Sequence, residues 1–301
     1  MGNIVVIYHD DLDGQASAQI FIEYNKYNKR DKLILMPSDY DKELDYNSFI
    51  KPDDIVYCFD FKPDIKKILD ITEMFVWIDH HKTAIESEYN NDSIKGIRSD
   101  KFAACELVWR YFFSNEKFPE LFKVPLAVQY IGNYDSWKWK ELVDSNNDDD
   151  NQLGYNSCYF YEGMLSEPRI FDMLDLCIFN SKDSDKWVDI IIRRGKIVDR
   201  FLTQDSSEVI KNNAYKSELD GYSCYCCNTT RHSSLLFDSI DDEYDVMVAY
   251  NFNGNNWCVS LYSKNKNVDV SDIAKKYGGG GHKGAAGFTA ETIPKFLKIN
   301  K

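Results

Sequence analysis

Short apolar runs alternate with amphipathic stretches through the first half of the chain. Asn3–Tyr8 is a β-branched run of strand length, and Leu33–Met36, Ile55–Phe59 and Phe75–Ile78 are further strand candidates. Ile94–Arg98 reads as a fifth. Helical spacing fills the intervals, from Gly14 to about Asn28, from near Pro63, and over Phe102–Phe113 and Pro125–Tyr134. Strands that are apolar throughout, separated by helices, predict a parallel sheet covered on both faces. Asp144–Asn151 is acidic and Asn-rich, and is expected to be an exposed loop or insertion.

Residues 185–212 carry Trp187, Ile190, Ile191, Val198, Phe201 and Leu202 at helical spacing, with Arg193, Arg194, Lys196 and Arg200 on the solvated side. From about Tyr215 the pattern resets to strands at Ser223–Cys227, Asp245–Asn251 and Trp257–Tyr262, then a helix at Val270–Tyr277 and a glycine run. The expected architecture is therefore α/β in two domains. A parallel-sheet domain spans 1–185, a linker helix 186–214, and a smaller mixed-sheet α/β domain 215–301.

Composition narrows the class. With 44% hydrophobic and 28% charged residues among 301, the chain resembles an ordinary globular protein that builds its core without disulfides. No run of about 18 apolar residues exists to span a bilayer, and Asp10, Asp11 and Asp13 interrupt the N-terminal apolar run before it could serve as a signal peptide. A cytoplasmic location is expected. Most of the cysteines stand singly among apolar residues, and Cys224-Tyr225-Cys226-Cys227 lacks the second pair that a zinc site requires.

The net charge is −13, which argues against a protein that grips long duplexes by their phosphates. Residues 261–301 nonetheless hold eight Lys against three Asp and Glu. A basic end on an acidic chain suits a small anionic ligand, although a solvated lysine-rich face gives the same count.

The chemistry gathers at the strand ends. The first strand runs into His9-Asp10-Asp11-Leu12-Asp13-Gly14, the third into Asp60, and the fourth into Asp79-His80-His81. In open parallel sheets ligands bind at this carboxyl edge. A later helix adds Asp135, within Asn133-Tyr134-Asp135-Ser136-Trp137. One Asp at a strand end is ordinarily a helix cap. Three of the chain's five histidines falling at one edge is harder to explain that way. Carboxylates so close together must protonate or meet a cation. Mixed imidazole and carboxylate donors suit a first-row ion such as manganese better than calcium, and six donors exceed the needs of one open catalytic ion. Two divalent ions sharing one carboxylate, and in-line phosphoryl displacement, fit the inventory.

In the glycine run, Gly279, Gly280 and Gly281 could turn backbone N–H groups toward an anion, with His282 and Lys283 adding charge or donors. A flexible hinge is the plainer alternative.

Taken together, these motifs resemble the DHH phosphoesterases. His9-Asp10-Asp11-Leu12-Asp13-Gly14, Asp60, Asp79-His80-His81 and Asp135 match the family's four motifs in order. Gly278-Gly279-Gly280-Gly281-His282-Lys283-Gly284-Ala285-Ala286-Gly287-Phe288 matches its associated C-terminal domain. The resemblance implies that His9, Asp11 and Asp60 hold one manganese. Asp13, Asp60, His80 and Asp135 would hold the other, with Asp60 bridging. Asp79 would orient the histidines, and His81 would contact the phosphate or the attacking water. The glycine loop would recognise a terminal phosphate. Many relatives carry an Arg-Ser pair on the preceding strand, where this chain has Tyr262 and Ser263. Tyr262 would then stack on a base, or Arg231 would supply the missing charge.

The family's substrates include residual oligoribonucleotides, adenosine bisphosphate, single-stranded DNA and cyclic dinucleotides. A compact acidic chain offers no basic track for a long polymer. The expected activity is hydrolysis of short single-stranded oligonucleotides or dinucleotides to mononucleotides, with a homodimer left open. A nucleotide-binding regulatory module is the non-enzymatic alternative, disfavoured because every ligand position is filled.

Overall fold

The computed structural model describes residues 2–28, 32–39, 43–114, 123–180, 182–240, 243–263, 265 and 267–298. Strand β1 (Ile4–His9) leads into helix α1 (Leu12–Asn28), followed by β2 (Leu33–Ser38) and β3 (Ile55–Phe59). Short helix α2 (Ile65–Leu69), strand β4 (Phe75–Ile78) and short helix α3 (Lys82–Ile85) follow. The four strands are parallel, in the order β2-β1-β3-β4. Alternate residues of β1 explain why the strand is apolar throughout. Ile4, Val6 and Tyr8 enter one buried cluster, while Val5 and Ile7 enter another on the opposite face.

The first cluster is covered by α1 together with α4 (Ala104–Phe113), α5 (Leu126–Asp135), α7 (Asp148–Leu165), α8 (Ile170–Phe179) and the start of α9 (Ser184–Asn213); α6 (Lys138–Val143) lies between α5 and α7. Trp109, Phe21, Phe113 and Phe160 are among its fully buried side chains. At about 25 cal/mol per Å² of apolar surface, each large ring buried this way contributes a few kcal/mol.

Three expectations change. Ile94–Arg98 does not form a fifth strand. It makes only isolated parallel bridges, Val76 to Lys95 and Asp79 to Arg98. Gly96 between them sits at φ 120°, a conformation that breaks a regular ladder. The Arg98 guanidinium caps the segment by donating to the carbonyls of Trp77, Ile94 and Lys95.

Of the acidic run Asp144–Asn151, only the first four residues form the expected loop, and Asp148 onward opens a helix. The Asn147 side chain accepts hydrogen bonds from the N–H groups of Asp149 and Asp150, and the three aspartates occupy the first turn of α7, where they complement the helix dipole. On α9, Phe201 and Ile197 are 66% and 62% exposed, so the apolar spacing at Phe201 does not mark a buried face.

The chain divides between Asp199 and Arg200, inside α9, into two compact units. The second holds the six-stranded sheet β5-β6-β7-β8-β10-β9. Its strands are β5 (Ala214–Leu219), β6 (Tyr222–Asn228), β7 (Val246–Phe252), β8 (Trp257–Tyr262), β9 (Gly280–His282) and β10 (Ala285–Ala290), with α10 (Val270–Lys276) before β9. Pairing is antiparallel except between β6 and β7, as expected for a mixed sheet. One face packs around Val248, Leu261 and Ile273, the other around Phe237, Met247 and Cys227. All eight cysteines are free, seven of them buried.

Candidate metal centre

The carboxyl edge of the parallel sheet brings the predicted residues together. His9 ends β1. Asp11 caps α1, its carboxylate accepting from the Gly14 N–H at 2.9 Å, and its other oxygen lies 2.9 Å from His9 Nδ1. The tight return needs glycine at position 14, since a Cβ there would sit 2.1 Å from the His9 carbonyl oxygen. Asp13 is buried in the first turn of α1, and its two oxygens accept from the N–H groups of Ala104 and Cys105, both at 2.8 Å. The start of α4 thus anchors it, a contact that sequence reasoning did not supply.

Asp60 follows β3 in the left-handed conformation, φ 54°, which aspartate tolerates better than most residues. It is 1% exposed. One oxygen lies 3.7 Å from His9 Nδ1, and the other 3.2 Å from His80 Nε2 and 3.6 Å from His81 Nδ1. Neither oxygen makes a hydrogen bond of good geometry. At the end of α5, Asp135 reaches His80 Nε2 at 3.2 Å, and Asp13 lies 3.9 Å from the same nitrogen. Asp79 is fully buried, and one of its oxygens bonds both the backbone N–H of His81 at 3.0 Å and His81 Nδ1 at 2.8 Å.

Donor atoms therefore converge in three sets that could each hold an ion: His9, Asp11 and Asp60; Asp13, His80 and Asp135; and Asp60, His80 and His81. Asp60 touches both sides of the array. The electrostatics ask for a cation. Burial, and then the charges of Asp13 and Asp11, push the Asp60 pKa up to about 8. Burial likewise raises Asp13 and Asp135. Burial opposes the cationic form of His9 and His80, yet their bonds to neighbouring carboxylates lift them to about 11 and about 10. Protons stand where positive charge is required. The Asp60 oxygens, buried without a well-formed hydrogen bond and set among imidazoles, belong to a donor set that could hold a divalent ion. Asp39, just beyond β2, lies 3.7 Å from His9 Nε2; its only signal in the sequence was its place after an apolar run.

The second unit treats its predicted residues differently. Gly280, Gly281 and His282 form the exposed edge strand β9, paired with β10. The Gly279 N–H donates to the Ala274 carbonyl at 2.9 Å, so that donor serves the end of α10 rather than an open anion pocket. Lys283 is exposed. Arg231 donates to the Leu202 carbonyl at 3.1 Å and lies 3.5 Å from Asp205. Tyr262 is half-buried against the cluster of Phe237, Met247 and Cys227. His232 went unnoticed in the sequence; its ring nitrogens lie 2.7 Å from Ser260 Oγ and 2.7 Å from Asn251 Oδ1.

Residues 3–131 match the DHH family N-terminal domain, and residues 233–301 match the DHHA1 domain. The chain thus carries both a DHH domain and a DHHA1 domain. It is 27% identical to uncharacterized protein R106 of Acanthamoeba polyphaga mimivirus over 99% of this chain and 70% of that protein. It is 22% identical to oligoribonuclease NrnB of Bacillus subtilis over 93% of this chain and 71% of that protein. The fold is shared with RecJ from Thermus thermophilus in complex with Mn2+, at a TM-score of 0.55 and 10% identity, over 98% of this chain and 50% of that one. No helix among the described residues is long and apolar enough to cross a membrane.

Proposed function

We propose that this phosphoesterase hydrolyses short single-stranded oligonucleotides to mononucleotides with two divalent ions, manganese in the first instance. The observation that carries the reading is the shared carboxylate. Asp60 faces His9 through one oxygen and His80 through the other, which divides the donors into two sets around it. His9, Asp11 and Asp60 would hold one ion, and Asp13, Asp60, His80 and Asp135 the other. Such ions supply Lewis acidity to the phosphoryl group and make water nucleophilic at neutral pH.

The protein's own residues do the positioning. Asp79 fixes the His81 ring through Nδ1, and Nε2 would be the nitrogen that meets the phosphate or the attacking water. The cap at Gly14 and the backbone bonds to Asp13 hold their carboxylates before any ion arrives, which lowers the cost of assembling the site. In the second unit, His282 and Lys283 on the exposed edge hairpin would recognise the terminal phosphate.

The match to an oligoribonuclease over most of both chains and the acidic exterior support short substrates over long ones. The manganese-bound RecJ of the same fold supports that metal. The test is a digest, with and without manganese, of dinucleotides, 5-mers, long single strands, cyclic dinucleotides and adenosine 3′,5′-bisphosphate. Metal-dependent release of mononucleotides, fastest from the shortest linear substrates, is expected. Processive degradation of long single-stranded DNA at a comparable rate would overturn the substrate reading. No turnover of any of them would favour a nucleotide-binding module.

A further inference from the structure

Two residues beyond Asp135 the chain does something costly. Trp137 precedes α6 at φ 62°, ψ 6°, a left-handed conformation that bulky side chains rarely adopt. Asp60 and Asp220 are the other non-glycine residues with positive φ among those described, and aspartate accepts that region far more readily. The strain brings no burial in return, for the Trp137 side chain is 43% exposed.

The packing role in this segment falls to another tryptophan. Trp139 stacks on Tyr134 with centroids 5.9 Å apart, and Tyr134 stacks on Tyr161 at 3.7 Å. Trp137 is left out of that pile, with Lys140 Nζ 4.5 Å from its ring centroid. The sequence here alternates as Trp137-Lys138-Trp139-Lys140 within a chain of net charge −13. A flat aromatic face beside a lysine suits a ligand that is planar at one end and anionic at the other. The Cα atoms of Trp137 and Asp135 can be no more than about 7 Å apart, well within the span of one nucleotide.

We propose that Trp137 is a stacking platform for a nucleobase of the substrate, beside the metal centre. Its left-handed backbone is retained because it holds the indole outward from the end of α5. The proposal rests on the nucleotide reading of the site, and it makes base recognition a property of the first unit rather than of Tyr262.

Asparagine tests this without endangering the fold, because it accepts the left-handed region and is a preferred residue before a helix. Wild type, Trp137→Asn and Trp137→Phe are compared as full-length protein in manganese. Thermal melting is recorded, and calorimetry measures binding of adenosine 5′-monophosphate and of ribose 5-phosphate. Trp137→Asn should melt at or above the wild-type temperature and bind the nucleotide roughly tenfold more weakly, with ribose 5-phosphate unchanged. Trp137→Phe should keep most of the affinity.

Undiminished nucleotide binding by Trp137→Asn overturns the proposal. So does an equal loss for both ligands, or a lower melting temperature, because either would give the ring a structural role. A wild type that binds both ligands alike also sinks it, while leaving the metal centre intact. If the wild type prefers the nucleotide through Trp137 but cleaves no dinucleotide, the platform stands and the oligonucleotide reading falls.

Discussion

The two units solve opposite problems with the same kinds of residue. In the first, histidines and carboxylates are driven together at a buried sheet edge, where the fold itself creates a deficit of positive charge. In the second, glycines, a histidine and a lysine lie on an exposed edge hairpin, and the nearby arginine is engaged with Asp205. Burial makes the first site sensitive to a single atom, whereas water screens the second. Backbone bonds and helix starts hold the carboxylates of the first unit, whereas the glycines and His282 of the second lie on a paired edge hairpin.

The sharpest way to break this contrast is at Asp60. Asp60→Ala removes the shared carboxylate and should lower turnover by at least about a thousandfold, since metal ions supply several kcal/mol of charge stabilisation and each decade of rate is worth about 1.4 kcal/mol. Bound metal, counted by elemental analysis, should fall as well. Near-wild-type turnover with full metal occupancy would falsify the two-ion arrangement.

Metal removal comes next. Ions bound there would relieve the repulsion among Asp11, Asp13, Asp60 and Asp135, and should stabilise the folded chain by about 2.7 kcal/mol at a hundredfold excess over Kd. Each kcal/mol is worth roughly 2–4 °C in a unit of this size. A chelator should lower the melting temperature accordingly, and manganese should restore it. A melting curve indifferent to both would mean that the cluster is neutralised by its own protons.

His282→Ala addresses the other side of the comparison. Loss of a charge-assisted contact to phosphate costs about 1.5–3 kcal/mol, a roughly ten- to hundredfold drop in kcat/KM on a dinucleotide. Metal content should stay the same, and a small chromogenic phosphodiester should be affected much less. Equal loss on both substrates, or loss of manganese, would assign His282 to structure or catalysis. The smallest effect belongs to Arg231→Ala. Its partners are a carbonyl and a half-exposed aspartate, so stability should change by under about 1 kcal/mol and kcat/KM by only a few-fold. A hundredfold loss of activity would restore Arg231 as a phosphate ligand.

Much of the centre was legible because it is written at strand ends. An apolar run of strand length followed by Asp or His places that side chain at the carboxyl edge, and β1, β3 and β4 each do so. The resemblance implies that Asp79 orients the histidines, and one of its oxygens lies 2.8 Å from His81 Nδ1. The errors came where one residue type serves two purposes. Asn147 and the aspartates after it read as a loop because polar clusters usually are, yet they open α7. Gly279 read as an anion donor, yet its N–H completes a turn of α10. Phe201 keeps helical spacing but lies in solvent.

The sequence by itself determined the class of chemistry, because the number and type of metal donors, and their attachment to particular strand ends, are local properties of the chain. Only the tertiary structure decided that Asp60 faces both donor sets, that the start of α4 anchors Asp13, and that Trp137 rather than Trp139 is exposed. The physical reason is the same in each case. Hydrophobic periodicity specifies which face of an element is buried, but not which distant backbone group or ring will meet it there. That is settled when the packed layers bring residues such as Asp13 and Cys105, 92 positions apart, within 2.8 Å.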